Sequence, residues 1–258
     1  MTLEALAPEL GLFVLQTSRV GGLIAAAPLP WKEAPVKLRA GLVLTLAFLA
    51  HGMPGASPLE PLNATRTLLA VPTEVLVGVA MGLVVRIAFS AADVAADAVG
   101  PLIGLAVPSV FDPLTLSSAT VLSRIFGLLM ALLAVLVGVH RIVISSVLAS
   151  FRVLPAGSAI DPSLATFPLL KMVVSTLVLG LRLALPLAAV LLMTQVALAF
   201  LSRAAPAMQI FSIGFAVSLV VGAGILMVSL PDVASGMAAD LSSIGFRIEV
   251  VVAALMGR

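Results

Sequence analysis

Asp93 and Asp97 lie four residues apart among small and apolar neighbours, and paired carboxylates are what acid–base hydrolysis, a cation site or a proton relay would require. An intramembrane aspartyl protease needs two carboxylates that face each other. Positions i and i+4 of one helix instead stand side by side and, when exposed, repel by about 0.2–0.5 kcal/mol. Solvated residues at the edge of a loop are the simpler reading of this pair. Histidine chemistry is sparse. His51 and His140 are the only two, with no His-Glu-x-x-His motif and no cysteine. That inventory excludes thiolate metal sites, disulfides and a zinc-protease centre. His140 beside Arg141 suits a proton relay, but a lone histidine near the end of an apolar helix more often packs or sits at an interface. The residue types point away from an enzyme and imply no metal and no cofactor.

More informative are the charges placed inside hydrophobic segments. Met172 to Phe200 carries Arg182 and Pro186 within an otherwise apolar run long enough to cross a bilayer. A central Arg or Asp costs roughly 2.5–3.5 kcal/mol on insertion scales, so such faces must meet protein or water rather than lipid. The chain reads as one subunit of a membrane assembly that encloses something wet. Composition agrees: of 258 residues 61% are hydrophobic and 10% charged, against about 25% charged in soluble domains. Mean hydropathy is +1.24 and the pI is near 9.7. The 14 basic and 12 acidic residues are scattered singly, so no polybasic patch offers a surface for nucleic acid.

With about 20 apolar residues as the spanning length, six hydrophobic helices are expected. They run approximately Leu10 to Pro28, Leu38 to Met53, Leu68 to Phe89, Val121 to Phe151, Met172 to Phe200 and Met208 to Leu230. Short links rich in Pro and Gly separate them, and no extramembrane domain fits, so residues 1–258 read as one membrane-embedded domain. Met1 to Gly11 holds Glu4 and Glu9 and no basic residue, unlike a secretory leader, so the first hydrophobic segment is expected to be retained. The tail from Pro231 to Arg258 is expected to form a final amphipathic helix. Lys32, Lys37 and Arg39 place the first link in the cytoplasm, with support from Arg203 and opposition from Arg152 and Lys171.

Asp93 to Ser118 is the least regular region. Gly100-Pro101, Gly104, Pro108 and Asp112-Pro113 predict that a helix cannot continue through it. A long extramembrane loop is one reading of it; Leu102, Ile103, Leu105, Val107, Val110 and Phe111, which would not be left in water without a partner surface, pull toward the other, a re-entrant segment or plug.

At this point the chain resembles the FliR/SctT family of type III secretion export-gate subunits over nearly its whole length. The matching features occur in family order: Arg19 with Gly22 and Pro28, Pro35-Val36-Lys37-Leu38-Arg39, and Glu74, Gly78 and Gly82 spaced by four. Gly100 through Phe111-Asp112-Pro113, Gly138 with His140, Leu183-Ala184-Leu185-Pro186, Arg203 with Pro206, and Phe211 with Ile213-Gly214-Phe215 follow. Departures exist. The family's Pro-Gln-x-Asn-hydrophobic-Phe run is here Pro206-Ala207-Met208-Gln209-Ile210-Phe211, and its Gln-Met-Gly is replaced by Leu105-Ala106-Val107 after Gly104. Ser218 stands where a Lys is common, and Ile213-Gly214-Phe215 is closer to the flagellar than the virulence branch.

The resemblance implies an all-α integral membrane protein of about six partly broken helices arranged as kinked hairpins, with an irregular central loop. It implies a structural subunit of the type III protein export gate in the bacterial inner membrane, within the flagellar basal body in the flagellar case. Its partners would be FliP-like, FliQ-like and FlhB-like subunits, lipid, and unfolded export substrates. The resemblance assigns closing of the pore to Leu102, Ile103, Val107, Val110 and Phe111, and a hydrophobic constriction can gate by dewetting. Arg19, Glu74, Gly78, Gly82, Arg182, Arg203, Pro206 and Phe211 would serve subunit or helix packing. Small residues four apart let helices approach, and Glu74 would find its donor on a neighbour. A secondary transporter with charged groups on broken helices is the alternative, although no repeat relates residues 1–120 to 121–258.

Overall fold

The structure is a computed structural model that describes residues 3–28, 34–53, 64–103, 121–204 and 210–257. Among the described residues all regular structure is helical. The elements are α1 (Leu3–Ala26), α2 (Val36–His51), α3 (Ala64–Ile103), α4 (Val121–Val137), α5 (Val139–Val153), a short 3-10 turn (Pro162–Ala165), α6 (Thr166–Ala204), α7 (Ile210–Ser242) and α8 (Ile244–Leu255).

Three stretches, Ala64–Ile103, Pro162–Arg203 and Ala216–Leu255, are long and apolar enough to cross a membrane. At 1.5 Å per residue a helix of 40 residues is about 60 Å long, roughly twice the hydrocarbon thickness. Such helices must tilt or emerge from the bilayer. A fourth apolar stretch is divided. The expected single helix from Val121 to Phe151 breaks at Gly138, and its two halves are bent by 62°. Gly138 sits at φ 79, a left-handed conformation that a residue without Cβ adopts at little cost.

Prolines interrupt the helices less than expected. Helix α3 passes through Asp93, Asp97, Gly100 and Pro101 as far as Ile103, so the expected irregular region is helical up to that residue; residues 104–120 lie outside the described residues. Helix α7 likewise runs through Pro231 to Ser242, and the final helix starts at Ile244 instead. A proline removes one N–H, whereas ending a helix in an apolar medium exposes several unpaired groups, so continuation costs less.

The described residues form two compact units. In the first, residues 1–88, 135–173 and 241–258, α1 and α2 are an antiparallel hairpin, with Gly21 near Val43 and Gln16 bonded to His51. Helix α1 runs parallel to α3, because Arg19 and Leu23 meet Gly78 while Ala26 meets Gly82. Val139, Val143, Val147 and Phe151 of α5 are buried, as are Ile244, Ile248, Val251 and Leu255 of α8. The two helices pack together, with Gly245 against Ile142. Asp161 caps the 3-10 turn by accepting from Ser163 N at 3.0 Å and Ser163 Oγ at 2.6 Å. The Ser163 hydroxyl, then its amide, hold the Asp161 carboxyl below its ordinary pKa, so the cap stays charged at neutral pH.

The second unit comprises residues 89–134 and 174–240. Ala91, Ala92, Ala95, Ala96 and Val99 give α3 a small-residue face, and a Cβ on Gly180 of α6 would lie 2.7 Å from Val94 Cβ. Helices α6 and α7 are antiparallel here, since Gln195 bonds Ser218 and Leu183 packs on Gly236. That register sets Pro186 and Pro231 at matching heights in the hairpin. Each removes the donor for the carbonyl four residues back, on Arg182 and Met227, and both prolines are exposed.

Candidate functional site

Arg19 and Glu74 are the most deeply buried charges of the first unit, at 0% and 2% exposure. Glycines bring their helices together. A Cβ on Gly78 would collide with the Arg19 carbonyl oxygen, and one on Gly22 would stand 2.6 Å from the carbonyl oxygen of Val75. The backbones of α1 and α3 therefore touch, and the guanidinium reaches the carboxylate directly. Arg19 Nε donates to Glu74 Oε2 at 2.6 Å and Nη2 donates to Oε1 at 3.1 Å, the two-pronged geometry that a planar fork allows.

Other groups of the pair are bonded as well. Arg19 Nη1 donates to the Leu154 carbonyl at 2.8 Å and to Ser150 Oγ at 3.2 Å, and the guanidinium carbon lies 4.4 Å from the centre of the Phe151 ring. Glu74 Oε1 also accepts from Gly157 N at 2.8 Å. One ion pair thus ties α1, α3, the end of α5 and the turn beyond it. A buried pair held by this many hydrogen bonds is a rigid joint between helices.

This arrangement corrects one expectation. Glu74 finds its donor on Arg19 of the same chain, not on a neighbour, because Gly22 and Gly78 permit close approach of α1 and α3. Opposite signs, each followed within four residues by a glycine, were the available signal. Ser150, the Leu154 carbonyl and Gly157 were not found by sequence reasoning, as backbone groups carry no signature.

The other singled-out residues are dispersed. Gly82 abuts Ala26, where a Cβ would lie 2.6 Å from Ala26 Cβ. Arg182 is exposed on α6 and makes no hydrogen bond or ion pair with a described residue, and Arg203 is exposed near the end of that helix. Phe211 stands in the first turn of α7, while Pro206, Val107, Val110 and Phe111 lie outside the described residues. Leu102 and Ile103 are the last described residues of α3, with Ile103 buried. There Gln195 Nε2 of α6 donates to the Leu102 carbonyl at 3.0 Å and to Ser218 Oγ of α7 at 3.1 Å, a polar contact the sequence did not suggest. Asp93 and Asp97 are both exposed, and Asp97 Oδ1 accepts from Ser123 Oγ at 3.2 Å. His51 bridges Glu9 at 3.1 Å and Gln16 at 3.3 Å, at the hairpin of α1 and α2. No group of three or more His, Asp or Glu suited to a metal ion occurs among the described residues.

The family described as "Bacterial export proteins, family 1" matches residues 10–244. The chain is similar to the flagellar biosynthetic protein FliR of Escherichia coli (strain K12), 33% identical over 227 residues, which cover 87% of this chain and 86% of that protein. It is 32% identical to FliR of Pectobacterium carotovorum subsp. carotovorum, over 83% of this chain and 82% of the relative. FliR of Aquifex aeolicus (strain VF5) is 27% identical, over 76% of each chain.

Proposed function

Because the chain belongs to family 1 of the bacterial export proteins, we propose that it is a structural subunit of the flagellar type III export gate, embedded in the bacterial inner membrane. With FliP-like, FliQ-like and FlhB-like subunits it forms and closes the channel through which unfolded substrate proteins leave the cytoplasm. The observation that carries this reading is its similarity to a FliR protein across 87% of its length. The buried Arg19–Glu74 joint supports a structural role, since both charges are spent on holding helices together. A small-solute permease is not favoured, as the relatives are flagellar biosynthetic proteins.

Within this reading the whole chain acts as one gate domain. Arg182, exposed in the middle of a spanning helix, faces a partner subunit or water, because lipid would exclude it. Arg203, Pro206 and Phe211 contribute to the same packing between subunits. Leu102 and Ile103, with Val107, Val110 and Phe111 beyond them, form the apolar constriction of the closed channel.

Secretion in a flagellated bacterium lacking its own FliR tests the reading. This chain, supplied with its cognate gate subunits, should restore flagellar substrate proteins to the medium and motility to the cells. Absence of export with the complete cognate set would overturn it.

A further inference from the structure

Along one side of α6 in the second unit, Val174, Val178, Leu181, Leu185 and Leu192 are all between 42% and 62% exposed. Their spacing of four, three, four and seven residues is that of a heptad seam, along which one helix packs against another. At 1.5 Å per residue the seam is about 27 Å long, close to the thickness of the hydrocarbon layer. An occupant that matches it is itself a spanning helix.

Arg182 lies beside this seam, one turn after Val178 and between Leu181 and Leu185, exposed near the middle of the stretch Pro162–Arg203. In a packed pair of helices that flanking position borders the partner, and charges placed there select it. Among the described residues nothing meets the guanidinium. Gly236 packs on Leu183 and stands one turn from both Asp232 and Asp240, yet neither carboxylate pairs with Arg182, and Asp93 and Asp97 of α3 do not either. A carboxylate so placed could take up a proton and become neutral, whereas a guanidinium keeps its charge. Lipid offers only hydrocarbon at mid-span, so the compensating group is an anion carried by protein.

We propose that this seam docks a spanning helix of a companion gate subunit, and that an Asp or Glu of that helix pairs with Arg182. The inference rests on the export-gate reading and deepens it by naming the chemistry that seats one partner. Apolar contacts alone would tolerate a slide of one turn, about 5.4 Å, but such a slide would pull the two charges apart. Arg182 thus sets the register of the docked helix.

The test is R182E, assembled with the cognate gate subunits in the membrane. Recovery of the complete complex should fall about tenfold or more, because two carboxylates would face each other away from water, and R182K should keep most of it. Each Asp and Glu in the companions' apolar helices is then changed to Arg in turn. One of these reversals should restore recovery of R182E while impairing that of the unaltered chain. Full recovery of R182E would overturn the proposal, as would rescue by none of those reversals, or only by D112R within this chain.

A photoreactive phenylalanine in place of Leu185, with Arg182 intact, gives a second measurement that does not depend on the folding of R182E. A crosslink to a cognate subunit supports the docked helix, whereas crosslinks to lipid alone, or only within this chain, contradict it. If the unaltered chain does not restore export with its cognate subunits, the gate reading itself fails. If it restores export and R182E assembles fully, only this inference fails.

Discussion

The charges at Arg19 and Glu74 were legible from sequence as groups that lipid would reject, but the identity of their partner was not. Each satisfies the other inside the chain, with Ser150, Leu154 and Gly157 completing the network. Removing one member of a buried pair typically costs about 3–5 kcal/mol because it strands the other charge, whereas removing both strands neither. E74L or R19M alone should therefore lower the thermal stability of the purified assembly markedly. The R19M/E74L double variant should lose much less than the sum of single losses. Additive losses in that cycle would show that the two residues act separately. Arg182 illustrates the converse. Its burden was visible in the sequence, yet among the described residues it makes no hydrogen bond or ion pair.

Long apolar periodicity was enough to place the helices, because twenty or more apolar residues in succession have few alternatives in a bilayer. Their ends were harder. Prolines at 101 and 231 looked like stops, but in apolar surroundings one missing hydrogen bond costs less than an open helix end. Gly138, by contrast, interrupts a run that looked continuous, since a left-handed φ leaves no mark on hydropathy. The glycines spaced along α3 did carry information, as they mark where α1 touches it. G78A should destabilise the α1–α3 contact by about 1–3 kcal/mol or more, through collision with the Arg19 carbonyl. G41A, at a position with nothing within 4 Å, should change stability by no more than about 1 kcal/mol. Thermal unfolding of both variants checks this, and equal effects would mean that the helices are not in backbone contact.

For the molecule as a whole, composition established a membrane protein and the ordered set of weak motifs established its family, while the polar joints that organise it became visible only in three dimensions. The site was legible in part. Glu74, Gly78 and Arg19 were singled out, but Gln195 was not, because a single glutamine in an apolar helix does not announce which carbonyl it bonds. Many large apolar side chains of α6 and α7 remain exposed, among them Met193, Phe200, Met227 and Val228, and Arg182 interrupts that surface. Lipid can cover the apolar part, but not the guanidinium. The central claim is that this chain is one subunit of a larger gate, and its recovery from membranes with and without companions tests that claim most directly. Expressed alone it should give low yield or aggregate, and with FliP-like and FliQ-like subunits it should be recovered as a stable complex containing all of them. A well-behaved, monodisperse monomer that ignores those companions would contradict the account.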